Sequence, residues 1–227
     1  MKLFSRNKES SDPSIIIDNC LKVVVNRISN DLDGEGYHWE KSWGVKRFEI
    51  MVLAKFLINL AFNRLSEDKL KGDEKKGFEN LCNKSFTKLF NDEFSVVGMN
   101  FEDMQEVIQT KIDGYFGARR ENKPPICWHV IYQQIIRSVS KEEIEEDIQV
   151  KTEGLALIKG NENFALMVPQ YKTQIKVLNN KVNTFEYAEM MISHMLRFTK
   201  DKLRAINLKK IKALSKKLAK QDKDKKK

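Results

Sequence analysis

Residues 42–65 read SWGVKRFEIMVLAKFLINLAFNRL, and the reading of this stretch decides the fold. Wound at about 100° per residue, it has no clean polar side. Val52, Phe56 and Leu60 fall among Glu49, Asn59 and Asn63, while Met51, Ala54, Ile58, Phe62 and Leu65 cover the opposite face. A helix apolar on nearly all sides is one that other elements surround, so Trp43–Leu65 is expected at the centre of the fold. The competing reading is a membrane span, which needs about 20 mostly apolar residues. The uninterrupted run Phe48–Phe62 contains Glu49, Lys55 and Asn59 and is closed by Arg47 and Arg64. Charges at mid-membrane are costly, which favours a buried helix. Lys55 and Asn59, one turn apart, then need partners or an exit to solvent.

Upstream, Asp12-Pro13 has the form of an N-cap followed by proline at the first helical position. It opens a helix carrying Ile16, Cys20, Val23, Val24 and Ile28 on one side. Asp33-Gly34-Glu35-Gly36 is a turn, and without a third glycine and a preceding strand it is no dinucleotide fingerprint. Tyr37-His38-Trp39 concentrates aromatics that could stack on a planar ligand. With no basic cluster beside them, packing over the end of the central helix is the better reading.

Downstream, Phe78, Leu81, Cys82, Phe86, Leu89 and Phe90 recur at helical steps, Gly98 ends that run, and Asn100 caps the next. The second helix should bury Phe101, Met104, Val107, Ile108, Ile112 and Tyr115. Arg119, Arg120 and Lys123 form a basic loop that could hold an anion. Pro125 starts a helix with Ile126, Val130, Ile131, Ile135 and Val139, and Ser140 with Glu143 has capping-box spacing. The acidic run 142–147 lacks the glycine and alternation of a calcium loop, and helix-dipole complementarity accounts for it.

Between 148 and 178 the periodicity changes. Ile148, Val150 and Thr152 alternate with polar residues, and short apolar runs at 155–158 and 164–168 flank a five-residue turn with glycine, a hairpin signal. A small antiparallel β element is expected there; helical spacing of Tyr171, Ile175, Leu178 and Val182 is the alternative. Asn183 to Glu186 resembles a second capping box, opening a long helix with Phe185, Ala188, Ile192, Met195, Leu196, Leu203 and Ile206, continued by Ile211, Leu214 and Leu218. The expected class is mainly α, a multi-helix bundle around helix 43–65 with a minor sheet. Residues 1–11 are expected to be flexible, 12–207 to form a single helical domain, and 208–227 to be a basic amphipathic helix end and disordered tail.

Of the 41 basic and 32 acidic residues, 14 and three fall in 196–227, leaving 27 against 29 for the rest. The net charge of +9 therefore describes the C-terminal segment, not the body. The widely spaced Cys20, Cys82 and Cys127 suggest neither a disulfide framework nor a zinc site. They fit packing as small hydrophobes in a reducing compartment. Met1–Asp12 has no signal-peptide core, so a cytoplasmic location is expected.

No His-Glu-x-x-His, P-loop or Gly-x-Ser-x-Gly occurs, and His38, His129 and His194 stand apart along the chain. No cofactor or metal is implied. The leading expectation is a non-enzymatic interaction protein. Its Lys209, Lys210, Lys212, Lys216, Lys217 and Lys220 would bind nucleic acid or another polyanion by displacing counterions. With no aromatic after Phe198, the segment lacks the stacking groups of single-strand binders, and being Lys-rich it lacks the arginine forks suited to base reading. Two alternatives stand beside it. One is an enzyme site assembled across helices from Glu142, Glu146, His129 or His194; the other is a helical adaptor for a protein partner, with the tail serving solubility.

Overall fold

A computed structural model describes residues 12–33, 43–122, 126–136 and 140–224, which hold eight α-helices and no strand. They are α1 (Pro13–Asp33), α2 (Trp43–Ser66), α3 (Lys76–Phe94), α4 (Phe101–Glu121), α5 (Ile126–Ile136), α6 (Lys141–Ile158), α7 (Met167–Leu203) and α8 (Leu208–Asp224). The aromatic cluster at 37–39, Lys123 and the N-terminal segment 1–11 lie outside the described residues. Among the described residues no helix is long and apolar enough to cross a membrane.

The chain divides into two compact units. Among the described residues the first comprises 12–33, 43–113 and 194–224, and the second 114–122, 126–136 and 140–193.

In the first unit, α2 is the centre. From Phe48 to Phe62 every residue except Asn59 is buried, Glu49 and Lys55 included. α1 packs on α2 and α3. Asp12 caps α1 as expected, its carboxylate accepting the Ser14 amide at 3.0 Å. The core face of α1 is Ile17, Cys20, Leu21, Val24, Val25 and Ile28, while Val23 is exposed. α3 buries Phe78, Cys82, Phe86, Phe90 and Phe94, a row with a strict four-residue step. Such a row is a ridge that fits the groove of a neighbouring helix. Phe78 stacks on Phe62 at 3.6 Å between centroids, and Phe90 meets Phe48 edge-on at 6.2 Å. Each fully buried phenyl ring contributes roughly 1.5–3 kcal/mol by leaving water.

Gly98 has φ 72°, the left-handed conformation that glycine adopts without steric cost, and it ends the turn after α3. Asn100 caps α4 by accepting the Asp103 amide at 3.0 Å. On α4, Val107 is exposed and its neighbour Ile108 takes the core position.

In the second unit, Tyr132, Ile144, Phe185 and Ala188 form a core cluster, with Ile148, Leu178 and Val182 packed against it. The expected β element is not present. Residues 148–158 belong to α6 and residues 167–178 to α7, joined by Gly160 at φ 92° and a short 3-10 turn at Glu162–Phe164. The alternation at 148–152 had no structural counterpart, because Val150 is 66% exposed. The residues that are half-buried on α7 are Val168, Tyr171, Ile175, Leu178 and Val182, ending on buried Phe185. Those 3- and 4-residue steps persist for five turns, whereas the strand pattern held for only five residues, so the longer period wins. A capped start adds to this: Ser140 Oγ accepts the Glu143 amide at 3.1 Å and Glu143 returns a bond to the Ser140 amide at 2.7 Å.

The helix expected to open at Asn183 instead begins at Met167. Thr184 does not cap; its hydroxyl donates to the Lys181 carbonyl within α7 at 2.6 Å, the usual use of a mid-helix threonine. The apolar stripe read as continuous past Leu203 is interrupted by a turn at Arg204–Ala205. Asn207 Oδ1 then accepts the Lys209 amide at 3.0 Å and starts α8 anew.

Candidate functional site

α8 reaches the first unit through its apolar side, packing on α3 and on the 3-10 turn Gly72–Lys75. Ile211 and Ser215 are buried there. Ser215 Oγ accepts the Gly77 amide at 2.7 Å and lies 2.7 Å from the Glu74 carbonyl, to which it can donate. The approach is close enough to need a glycine, since a Cβ on Gly77 would stand 2.6 Å from the Ile211 carbonyl oxygen.

The lysines fall into two groups about this docked edge. On a helical wheel Lys210 and Lys212 lie about 100° to either side of Ile211, beside the docked edge. Lys212 pairs with Glu74. This ammonium, and then the Lys71 amide, hold Glu74 below the usual carboxylate range. Lys210 lies in the field of Asp12, whose carboxyl is lowered first by the Ser14 amide and hydroxyl and least by this lysine. Lys209, Lys216 and Lys220 lie about 140–180° from Ile211. They are exposed and pair with no carboxylate among the described residues, as is Lys217 on the flank. At about 1.5 Å per residue the outer row is about 17 Å long.

The secondary anion candidates belong to the second unit. Arg119 lies over the Trp128 ring at 5.6 Å, Arg120 is exposed, and nothing is described at Lys123. Of the enzyme candidates, Glu142 and Glu146 are exposed on α6, and His194 is exposed on α7. His129 is the one drawn inward. Its Nε2 lies 3.3 Å from Glu189 Oε2, without the alignment of a hydrogen bond, and its ring meets Phe185 edge-on. His38 lies outside the described residues. Among the described residues no three of His, Cys, Asp and Glu come together as a metal site.

Sequence reasoning missed Glu74, Gly77 and Ser215, and the nearness of Glu189 to His129, because the partners are far along the chain. Asn207 could have been found, because Asn before Leu208 and a lysine-rich periodic run is an N-cap signal.

No protein-family profile, no curated protein and no solved structure matches this chain.

Proposed function

We propose that the chain is a non-enzymatic interaction protein whose α8 binds the phosphate backbone of a nucleic acid, or another polyanion, without strong sequence specificity. The observation that carries this reading is the outer row Lys209, Lys216 and Lys220 on a helix whose opposite edge is anchored. An anchored helix loses less conformational entropy on binding than a free tail does. Lysine ammonium groups act as point charges on phosphates and do not read base edges as arginine forks do.

Three to four phosphate contacts give a log–log salt slope of about −3 on duplex DNA. Affinity should therefore fall roughly 60-fold between 50 and 200 mM salt. Ile211 and Ser215 belong to the packing, so the test retains α8 and changes only its outer face. Titration of a labelled DNA duplex with Lys209→Gln/Lys216→Gln/Lys220→Gln should show at least a tenfold loss of affinity and a nearly flat salt dependence. Unchanged binding by this variant, at an unchanged helical circular-dichroism signal, would reject the proposal.

A further inference from the structure

The α6–α7 hairpin carries a flank that the seam between its two helices leaves exposed. Its antiparallel register is set at the base by Lys141 Nζ to Glu186 Oε1, 3.3 Å. Further out, Gly154 faces the Tyr171 ring, where a Cβ would stand 3.0 Å from Cε1. Between Ile144 and Phe185 no residue of the arm is buried. Along α6, Glu146, Val150, Glu153 and Leu157 fall at i, i+4, i+7 and i+11, one helical row. Along α7, Gln170, Gln174, Val177 and Lys181 repeat the same steps. All eight are exposed, Val150 at 66%, Leu157 at 85% and Val177 at 49%. Each row lies on the same rotational side of its seam, which in an antiparallel pair places both on one side of the arm.

The two rows are complementary to each other. α6 carries six carboxylates and two lysines, whereas α7 from Met167 to Asn183 carries three lysines and no carboxylate. A two-fold axis is the operation that lays row upon row, since it makes residue i meet j and j meet i. Running along the arm between the two rows, it lays α6 of one copy over α7 of the other and leaves every residue at its own level. With Gly154 level with Tyr171, the same axis sets Val150 within about two residues' rise, ~3 Å, of Val177 of the second copy, and Glu146 equally near Lys181.

We propose that this flank is a self-association surface, on which two copies pair arm to arm as a four-helix contact. The arm is about 27 Å long at 1.5 Å per residue. A face two helices wide then offers roughly 500 Å² per copy, the size of a weak, concentration-dependent dimer. The reading is independent of the proposed role of α8.

The test is sedimentation velocity of the full chain from about 1 to 300 µM, a range that brackets weak dimers. The mass should rise from one copy toward two. Lys181→Glu and Glu146→Lys, each alone, oppose like charges twice across the axis and should raise the midpoint concentration about tenfold or more. Mixed one to one, the two variants bring opposite charges together at both positions and should dimerise again. That rescue separates a lost interface from a lost fold, because the same chains are present. A wild-type chain monomeric at 300 µM overturns the proposal, as does failure of the mixture to recover. Flotation of a monomeric wild-type chain with lipid vesicles would assign the exposed apolar residues to a membrane surface and overturn it too.

Discussion

α2 and the α6–α7 arm are both helical and both charged, but the surroundings treat their charges in opposite ways. In α2, Glu49 is 1% exposed and receives Lys111 Nζ at 2.8 and 2.9 Å. Lys55, 4% exposed, makes no hydrogen bond with a described residue, and its Nζ lies over Phe86 at 4.7 Å and Phe101 at 5.5 Å. In the arm, Lys172, Lys176 and Lys181 are exposed and pair with no described carboxylate. Burial turns a charge into an obligation, because an ion removed from water must recover its solvation from neighbours. In the arm water supplies it. A single lysine substitution should therefore be severe in one region and almost silent in the other.

The largest effect is expected at Lys111. Lys111→Met removes the ammonium and leaves the Glu49 carboxylate buried, which costs about 3 kcal/mol or more. Lys172→Met, on the exposed side of the arm, should change stability by less than about 0.5 kcal/mol. Urea denaturation of the two variants measures the difference directly. Equal effects would mean that α2 is solvated in solution and that its central place is wrong.

How much of this contrast could be read beforehand depends on the distance over which the cause acts. The burial of α2 was readable because apolar residues occupy every angle of one helix, a local property. The caps at Asp12, Asn100 and Ser140 were readable for the same reason. The partner of Glu49 was not, since Lys111 is 62 residues away and nothing near either residue points to the other. Asn59 is half-buried and so has its exit to solvent, but the aromatic environment of Lys55 needed the fold. The arm was misread because its seam is only half-buried; with little apolar contrast between faces, a five-residue alternation looked as strong as the helical period. At the candidate site the exposed lysines were visible in composition. The pairing of Lys212 with Glu74 and the outward placing of Lys209, Lys216 and Lys220 were not, because Ser215 meets Gly77 across 138 residues.

Lys55 supplies the next, smaller effect. Burial holds its ammonium below the ordinary lysine value of 10.5, weakly opposed by Cys82. The unfolded chain keeps its proton up to that ordinary value, so between the lowered and the ordinary pKa the unfolded state binds more protons. Stability should then rise with pH across that interval. Lys55→Met removes the burial cost and retains most of the volume. It should stabilise the chain by about 1 kcal/mol at neutral pH and abolish the alkaline gain, as read from urea midpoints between pH 7 and about 10. A loss of stability at neutral pH would show that the contacts with Phe86 and Phe101 outweigh desolvation.

The smallest effect is expected in the arm, at Gly154. Alanine gains about 1 kcal/mol of helix propensity over glycine in a helix interior. Its Cβ would stand 3.0 Å from Tyr171 Cε1, but Tyr171 is half-buried and its ring can swing outward by a few tenths of an ångström. At Gly77 the obstacle is the Ile211 carbonyl, backbone that cannot yield in this way. Gly154→Ala should therefore stabilise the arm by a few tenths of a kcal/mol, the propensity gain less the cost of moving one ring. Slower amide exchange across 145–182 is the measurement, because exchange reports local opening where global unfolding would miss it. Faster exchange would mean that the Tyr171 ring is held as firmly as the phenyl rings around α2, and the contrast between the two regions would lose its basis.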